Sequence, residues 1–372
     1  MIRMRGVPAA APLLLTAFGT CLHAQAARAP REAAVASLAS VYKSYFPVGA
    51  AVEPSTLVSQ GDLLATQVDS LVAENAMKWE RIHPIRGDVS SSYDFTGADQ
   101  IVAFAREHGM KVRGHTLVWH DQVPGWVFQG QVGQATRDEV LSRMREHIST
   151  LLAHFHGEVY CWDVVNEALS DGPGIWRTDS PWFTSAGALE HGTGVPEYLE
   201  KAFQYARSAD PAVKLFYNDF GIEAGEKLDK ALALVKALKD MGLVDGVGIQ
   251  GHWSVFGPDA DIVRHAIDSF ASLGVEVQIT ELDISVHRWR DSSSLTELTP
   301  GLAAAQADLY GSYFKVFRDE AQAHHLTGVT LWGIADDHTW LDDFPVKGRK
   351  DWPLLFDIHH QPKNAFWTVA RW

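Results

Sequence analysis

The sequence is short of cysteine, of positive charge and of long apolar runs, and each shortage closes off a class of protein. Only two cysteines occur in 372 residues, Cys21 and Cys161. No framework of disulfides can hold such a chain, so stability must come from burial. Cys161 lies inside an apolar run and reads as a buried, inert thiol. Lys and Arg number 32 against 46 Asp and Glu, a net charge of -14. No basic stripe survives that balance, which argues against nucleic acid and anionic membranes as partners and suits a neutral substrate. No H-E-x-x-H occurs, and the pairs His324-His325 and His359-His360 are adjacent residues that face different ways, so no metal is expected. No cofactor is expected either. The chain has no Pro- or Ser-rich linker, no repeat and no appended module, and one domain is expected.

What is present begins with an export signal. Arg3 and Arg5 precede an apolar stretch at 7–18, too short to span a bilayer, and Ala24-Gln25-Ala26 is an A-x-A-like cleavage site. Residues 1–26 read as a signal peptide, 27–39 as an Ala-rich leader and 40–372 as the single folded domain. A secreted or periplasmic protein is expected, monomeric and free of the membrane once cleaved. Lipid anchoring through Cys21 is the alternative, for which Phe18-Gly19-Thr20 is a poor lead-in.

From there, short apolar runs alternate with helical patterns in eight periods. Candidate strands begin near Phe46, Leu71, Lys111, Val159, Lys214, Asp245, Val275 and Gly328. Candidate helices lie near 59–69, 97–108, 137–154, 196–209, 225–239, 259–272, 300–323 and 363–371. Asp259 and Asp210 mark helix starts, and Gly109, Gly242 and Gly274 mark helix ends. Eight βα units predict an α/β fold, a single-domain TIM (β/α)8 barrel.

Two carboxylates organise the chain. Glu167 and Glu281 each end a run of β-branched or aromatic residues. Strand ends far apart in sequence meet only if the sheet closes on itself, and a parallel barrel brings all of them to one face. Other strand ends are polar too: Glu74-Asn75 with Lys78, His115 through Trp119 to His120, Asn218-Asp219, Gln250 with His252, and Trp332 followed by Trp340. Singly, each has a bland reading as a satisfied core histidine, a surface ion pair or a core aromatic. Five such ends beside the two carboxylates point to one site. Thirteen Trp residues serve as core or as stacking faces for sugar rings.

Two carboxyls with amide, imidazole and indole donors point to glycoside hydrolysis, where one acid protonates the leaving oxygen and the other acts at the anomeric carbon. Asn166 is placed to donate to the sugar 2-hydroxyl. His252 and Asp283 are placed to hold Glu281 ionised and oriented.

These residues carry a family resemblance. Trp162-Asp163-Val164-Val165-Asn166-Glu167 and Ile279-Thr280-Glu281-Leu282-Asp283 resemble the two active-site signatures of glycoside hydrolase family 10, the retaining endo-β-1,4-xylanases. The blocks around Glu74, His115, Gln250 and Trp332, and Pro353-Leu354-Leu355-Phe356-Asp357, resemble the remainder in the same order. The resemblance covers about residues 40–372. It implies Glu167 as acid/base and Glu281 as nucleophile, with xylan or xylo-oligosaccharides as substrate. It implies His115, Trp119, Asn166, Gln250, His252 and Trp332 around the sugar at the cleavage point. Glu74, Asn75 and Lys78 would hold the next sugar toward the non-reducing end, with Trp340 as a lid. Asp283 and His120 are supporting residues. Phe220-Gly221 departs from the family's Tyr-Asn, Thr339 replaces Ser, and 287–298 has no counterpart. An endo-β-1,4-glucanase or mixed enzyme is the alternative, and a non-catalytic carbohydrate-binding barrel is a third reading.

Overall fold

The computed structural model describes residues 37–187, 192–293 and 295–371. The predicted signal peptide, Cys21 and the predicted leader up to residue 36 lie outside the described residues. Among the described residues, eight parallel strands alternate with eight main helices. The strands are β1 (Val48–Val52), β2 (Ser70–Ala73), β3 (Lys111–Trp119), β4 (Val159–Asn166), β5 (Lys214–Asp219), β6 (Gly246–Ile249), β7 (Glu276–Ser285) and β8 (Leu326–Leu331). Strand β6 breaks at Gln250-Gly251, where Gly251 takes φ +84°, and resumes as His252–Ser254. The helices are α1 (Gly61–Gln67), α2 (Thr96–Glu107), α3 (Arg137–His154), α4 (Glu197–Ala209), α5 (Gly225–Asp240), α6 (Ala260–Ala271), α7 (Pro300–Gln322) and α8 (Asn364–Ala370).

Strand β1 pairs with β2 on one side and with β8 on the other, Gly49 opposite Thr330. Strand β6 pairs with β7, Gly246 opposite Glu276, so the sheet closes and the predicted TIM barrel is present. Both faces of these strands are covered, which is why they read as near-continuous apolar runs. A short helix, Leu38–Tyr42, begins inside the predicted leader. Its Leu38 and Tyr42 are fully buried, and the Tyr42 hydroxyl donates to the Val369 carbonyl at 2.6 Å.

Local chemistry sets the helix limits. Thr136 and Glu139 form a reciprocal capping box on α3. Gly109, Gly242 and Gly274 all adopt positive φ after helix ends, as expected. Asp210 corrects an expectation: it closes α4 rather than opening a helix. Pro211 follows it and disfavours helical backbone at Asp210, whose carboxylate accepts from the Ala212 and Val213 amides at 2.9 and 3.2 Å. The barrel interior is partly polar. Buried Arg113 pairs with Asp163 and donates to Gln278 Oε1 at 2.8 Å, and its guanidinium lies 4.7 Å from the Phe216 ring. Cys161 is buried beside it, and burial pushes its thiol up to about 11.

Candidate active site

The carboxyl ends of the strands share one face, where barrel chemistry is normally placed. Glu281 lies on β7 and is 4% exposed. Its Oε1 accepts from Asn218 Nδ2 at 2.7 Å, and its Oε2 lies 3.0 Å from His252 Nε2. The resumed segment of β6 sets His252 directly opposite Asp283 in the ladder. His252 Nδ1 accordingly lies 3.0 Å from Asp283 Oδ2, and Trp340 Nε1 donates to the same oxygen at 2.8 Å.

This arrangement charges the imidazole. Burial alone would discharge His252, but the field and hydrogen bond of Asp283, with Glu281 behind, outweigh it and push the imidazole up to about 10. His252 therefore donates from both ring nitrogens at neutral pH. Burial likewise works to raise Glu281. The hydrogen bond from His252 and the neighbouring imidazoles His115 and His252 overcome it and hold the carboxyl below its ordinary value.

Glu167 has a different shell. It follows β4 at φ +57°, a backbone state uncommon outside glycine. Its amide donates to the Asn218 carbonyl at 2.9 Å, and its own carbonyl accepts from Arg177 Nε at 3.0 Å. Its Oε2 accepts from Trp119 Nε1 at 2.9 Å, and its Oε1 from Gln250 Nε2 at 3.0 Å and Asn166 Nδ2 at 3.3 Å. These side-chain donors are all neutral. His120 stops 3.9 Å short of the carboxylate, and burial holds its imidazole below the ordinary value.

Amides tie the two carboxyls together. Asn166 Oδ1 accepts from Gln250 Nε2 at 3.2 Å and from Asn218 Nδ2 at 2.9 Å. Thr280 Oγ1 donates to Asn218 Oδ1 at 2.6 Å, which fixes the flip of that buried amide. The oxygen of Asn166 is thus engaged by two donors, and Nδ2, which gives one hydrogen to Glu167, keeps its second.

The other predicted residues gather around this pair. His115 Nδ1 lies 3.0 Å from Asp163 Oδ2, and Trp332 meets His115 edge-on at 5.4 Å and His252 at 5.9 Å. Lys78 is buried rather than paired with Glu80 at the surface. Its Nζ donates to Asn75 Oδ1 at 3.0 Å and Gln122 Oε1 at 2.8 Å, and sits 4.6 Å from the Trp119 ring. Burial lowers the ammonium, against the fields of Glu281, Glu74 and Glu167. Glu74 Oε2 lies 2.8 Å from His338 Nε2.

Sequence reasoning missed several partners. Glu53 follows β1 and accepts from Asn75 Nδ2 at 2.6 Å. The strand-end rule that selected Glu74 applies to it equally. Gln122 carries no such signal, because its placement depends on a loop residue at φ +44°. The departure at Phe220-Gly221 is occupied by Lys227, whose Nζ lies 3.6 Å from the Phe220 ring and pairs with Asp219 and Asp171 at 2.9 and 2.6 Å. Asp268, Glu320 and His325 form the one grouping of metal-ligand type among the described residues, with ligand atoms within 4.8 Å of one another. It lies before the start of β8, away from the strand ends, and Arg264 already pairs with Glu320.

Comparison with known proteins agrees with this geometry. The profile of glycosyl hydrolase family 10 matches residues 37–372. A β-1,4-xylanase of Dictyoglomus thermophilum is 47% identical over 91% of this chain and 91% of its own length. The crystal structure of an endo-1,4-β-xylanase from Caldicellulosiruptor owensensis superposes with TM-score 0.84 at 43% identity, covering 91% of this chain and 100% of that one. A mutant structure in complex with xylotriose gives TM-score 0.84 at 43% identity, covering 90% of this chain and 99% of that one. The chain belongs to glycoside hydrolase family 10.

Proposed function

We propose that this chain is a retaining endo-β-1,4-xylanase, with Glu281 as nucleophile and Glu167 as acid/base. The observation that carries the roles is the contrast in donors. Glu281 accepts from a cationic imidazole and a buried amide, a shell that favours the carboxylate. Glu167 accepts from indole and amide N–H groups, which place it without an ion pair to hold it charged. The names of its relatives and the xylotriose bound to a structural neighbour support xylan as substrate.

In the first step a Glu281 oxygen bonds to the anomeric carbon as the glycosidic C–O bond breaks. The proton of Glu167 passes to the departing sugar oxygen. In the second step Glu167, now a carboxylate, takes a proton from water. The water oxygen bonds to the anomeric carbon and Glu281 is released. Two inversions give net retention. Asn166 Nδ2 is the donor available to the sugar 2-hydroxyl, where the bond can strengthen in the transition state. Asn75 and Lys78, with Glu74, hold the next sugar, and Trp340 crowds the hydroxymethyl that glucose carries and xylose lacks. Such apolar exclusion discriminates modestly. The proposal includes export, with action outside the cytoplasm as a monomer.

Product ladders from xylan, with proton spectroscopy of the first-formed reducing end, test this reading. Mixed xylo-oligosaccharides, a β-anomer formed first and slower cleavage of carboxymethylcellulose are expected. Xylose released singly from chain ends, an α-anomer first, or faster cellulose cleavage would contradict it.

A further inference from the structure

A pile of buried rings runs from helix α3, outside the barrel, to Glu167. His147 on α3 lies flat against Trp79, with 3.8 Å between ring centroids and 4° between planes. Trp79 tilts against Trp182 at 5.3 Å. Trp182 belongs to the short helix Pro181–Ala186, beyond β4, and its Nε1 donates to the Trp119 carbonyl at 2.8 Å. Trp119 ends β3, and its own Nε1 donates to Glu167 Oε2 at 2.9 Å. Four segments of chain thus meet in one line of contacts that stops at the acid/base candidate.

Two observations give this line a purpose. First, the register between β3 and β4 shifts between His115 and Val118, and only two pairs follow the shift, Val118 with Val165 and Trp119 with Asn166. The end of β3 needs other support. Trp182 grips the Trp119 carbonyl, the Lys78 ammonium lies 4.6 Å from its ring, and both grips adjoin Trp79. Second, His147 is fully buried, yet neither ring nitrogen has a hydrogen-bond partner among the described residues. Such orphaned groups are uncommon and call for a reason. Burial, with His83 at 6.3 Å, holds the imidazole well below its ordinary value, so the ring is neutral. With its edge unbonded, the faces of the ring carry its role, and it stacks on Tyr93 at 6.2 Å as well as on Trp79.

We propose that His147 is a positioning residue for proton transfer: it backs Trp79 and, through Trp182 and Trp119, sets where Glu167 meets the glycosidic oxygen. Trp119 Nε1 is the one hydrogen-bond donor to Glu167 Oε2 among the described residues, so that oxygen follows the indole. Close packing passes a displacement along the rings instead of absorbing it. The proposal rests on the acid/base reading of Glu167.

The test uses aryl β-xylobiosides that differ only in the acidity of the phenol, for wild type, His147→Ala, His147→Phe, Trp182→Phe and Glu167→Ala. A dinitrophenolate leaves without a proton, whereas phenol needs one. The sugar part is constant, so changes in its binding cancel in the ratio of kcat/KM between the two substrates. His147→Ala should lower kcat/KM for the phenyl substrate about tenfold more than for the dinitrophenyl one, the scale of a small misplacement of a catalytic group. His147→Phe, which restores a flat ring, should recover most of that loss. Trp182→Phe keeps a ring and removes the bond to Trp119, so it should show the same selectivity, and it carries the test if His147→Ala does not fold. Equal losses on both substrates in folded His147→Ala or Trp182→Phe would overturn the proposal, as would a folded His147→Phe no better than His147→Ala. Glu167→Ala should be the most selective of all; if it is not, the acid/base reading itself falls.

Discussion

At the scale of the residue, the nucleophile candidate depends on a line of three hydrogen bonds that begins at an indole. Trp340 Nε1 and His252 Nδ1 share Asp283 Oδ2, and His252 passes its other N–H to Glu281. Burial works to raise the Asp283 carboxyl, so its ionised form leans on those two donors. Glu281 also faces His115, Asp163 and Lys78, and His252 also faces Glu223. Trp340→Phe keeps a ring at this point and removes one donor. The shared proton should then move from His252 toward Asp283, His252 should lose charge, and Glu281 should rise. The acidic limb of kcat/KM is therefore expected to shift to higher pH. An unmoved limb with only a raised KM would mean that Trp340 merely packs. The motifs already placed His252, Asp283 and Glu281 near one another. They did not show the indole bond, because Trp340 reaches Asp283 from a loop whose course no local pattern encodes.

At the scale of the element, the glycines of β6 show how a strand protects chemistry on its neighbour. A Cβ on Gly248 would stand 2.1 Å from Asn218 Oδ1 on β5, and that amide holds Glu281. Gly248→Ala should cost about 1–3 kcal/mol by overpacking and lower kcat disproportionately, as Asn218 is driven off the carboxylate. Gly109→Ala is the comparison: at φ +67° it meets nothing within 4 Å. It should cost about 1–2 kcal/mol in backbone strain and leave kcat alone. Thermal midpoints with kcat distinguish the two; an unchanged kcat in Gly248→Ala would break the link. The eight strands were legible as short apolar runs buried on both faces, and the helices by their period of 3.6. Each strand began within about two residues of its expected start. The interruption of β6 was not legible. A three-residue segment after Gly251 has too little pattern, and only its pairing with β7 makes it a strand. Gln122 was missed for a related reason, since its importance lies in its contacts with Asn75 and Lys78, whereas Glu53 follows β1 and the strand-end rule reaches it.

At the scale of the whole molecule, the closed barrel buries charge at its centre and so ties folding to pH. Asp163 lies against Arg113 and His115; burial opposes its charge, but these partners hold it below its ordinary 3.8. Glu281 is likewise held below 4.5. Their contribution is present above those values and lost as pH falls through the lower folded ones. His252 is shifted the other way, from 6.5 to about 10. Its contribution is full below 6.5 and is lost as pH rises toward 10. The thermal midpoint of wild type should therefore exceed that of His252→Gln most at slightly acidic pH, and the gap should narrow toward pH 10. A gap that widens with pH would show that the imidazole folds uncharged.

The role of Glu281 is tested most directly by chemical rescue. Glu281→Ala removes the attacking oxygen while Glu167 remains to protonate the leaving sugar, so azide should restore turnover and yield the α-glycosyl azide. Glu167→Ala, on substrates with an activated leaving group, should yield the β-glycosyl azide. The reverse pairing of anomers would place the nucleophile on the other carboxyl and contradict the assignment.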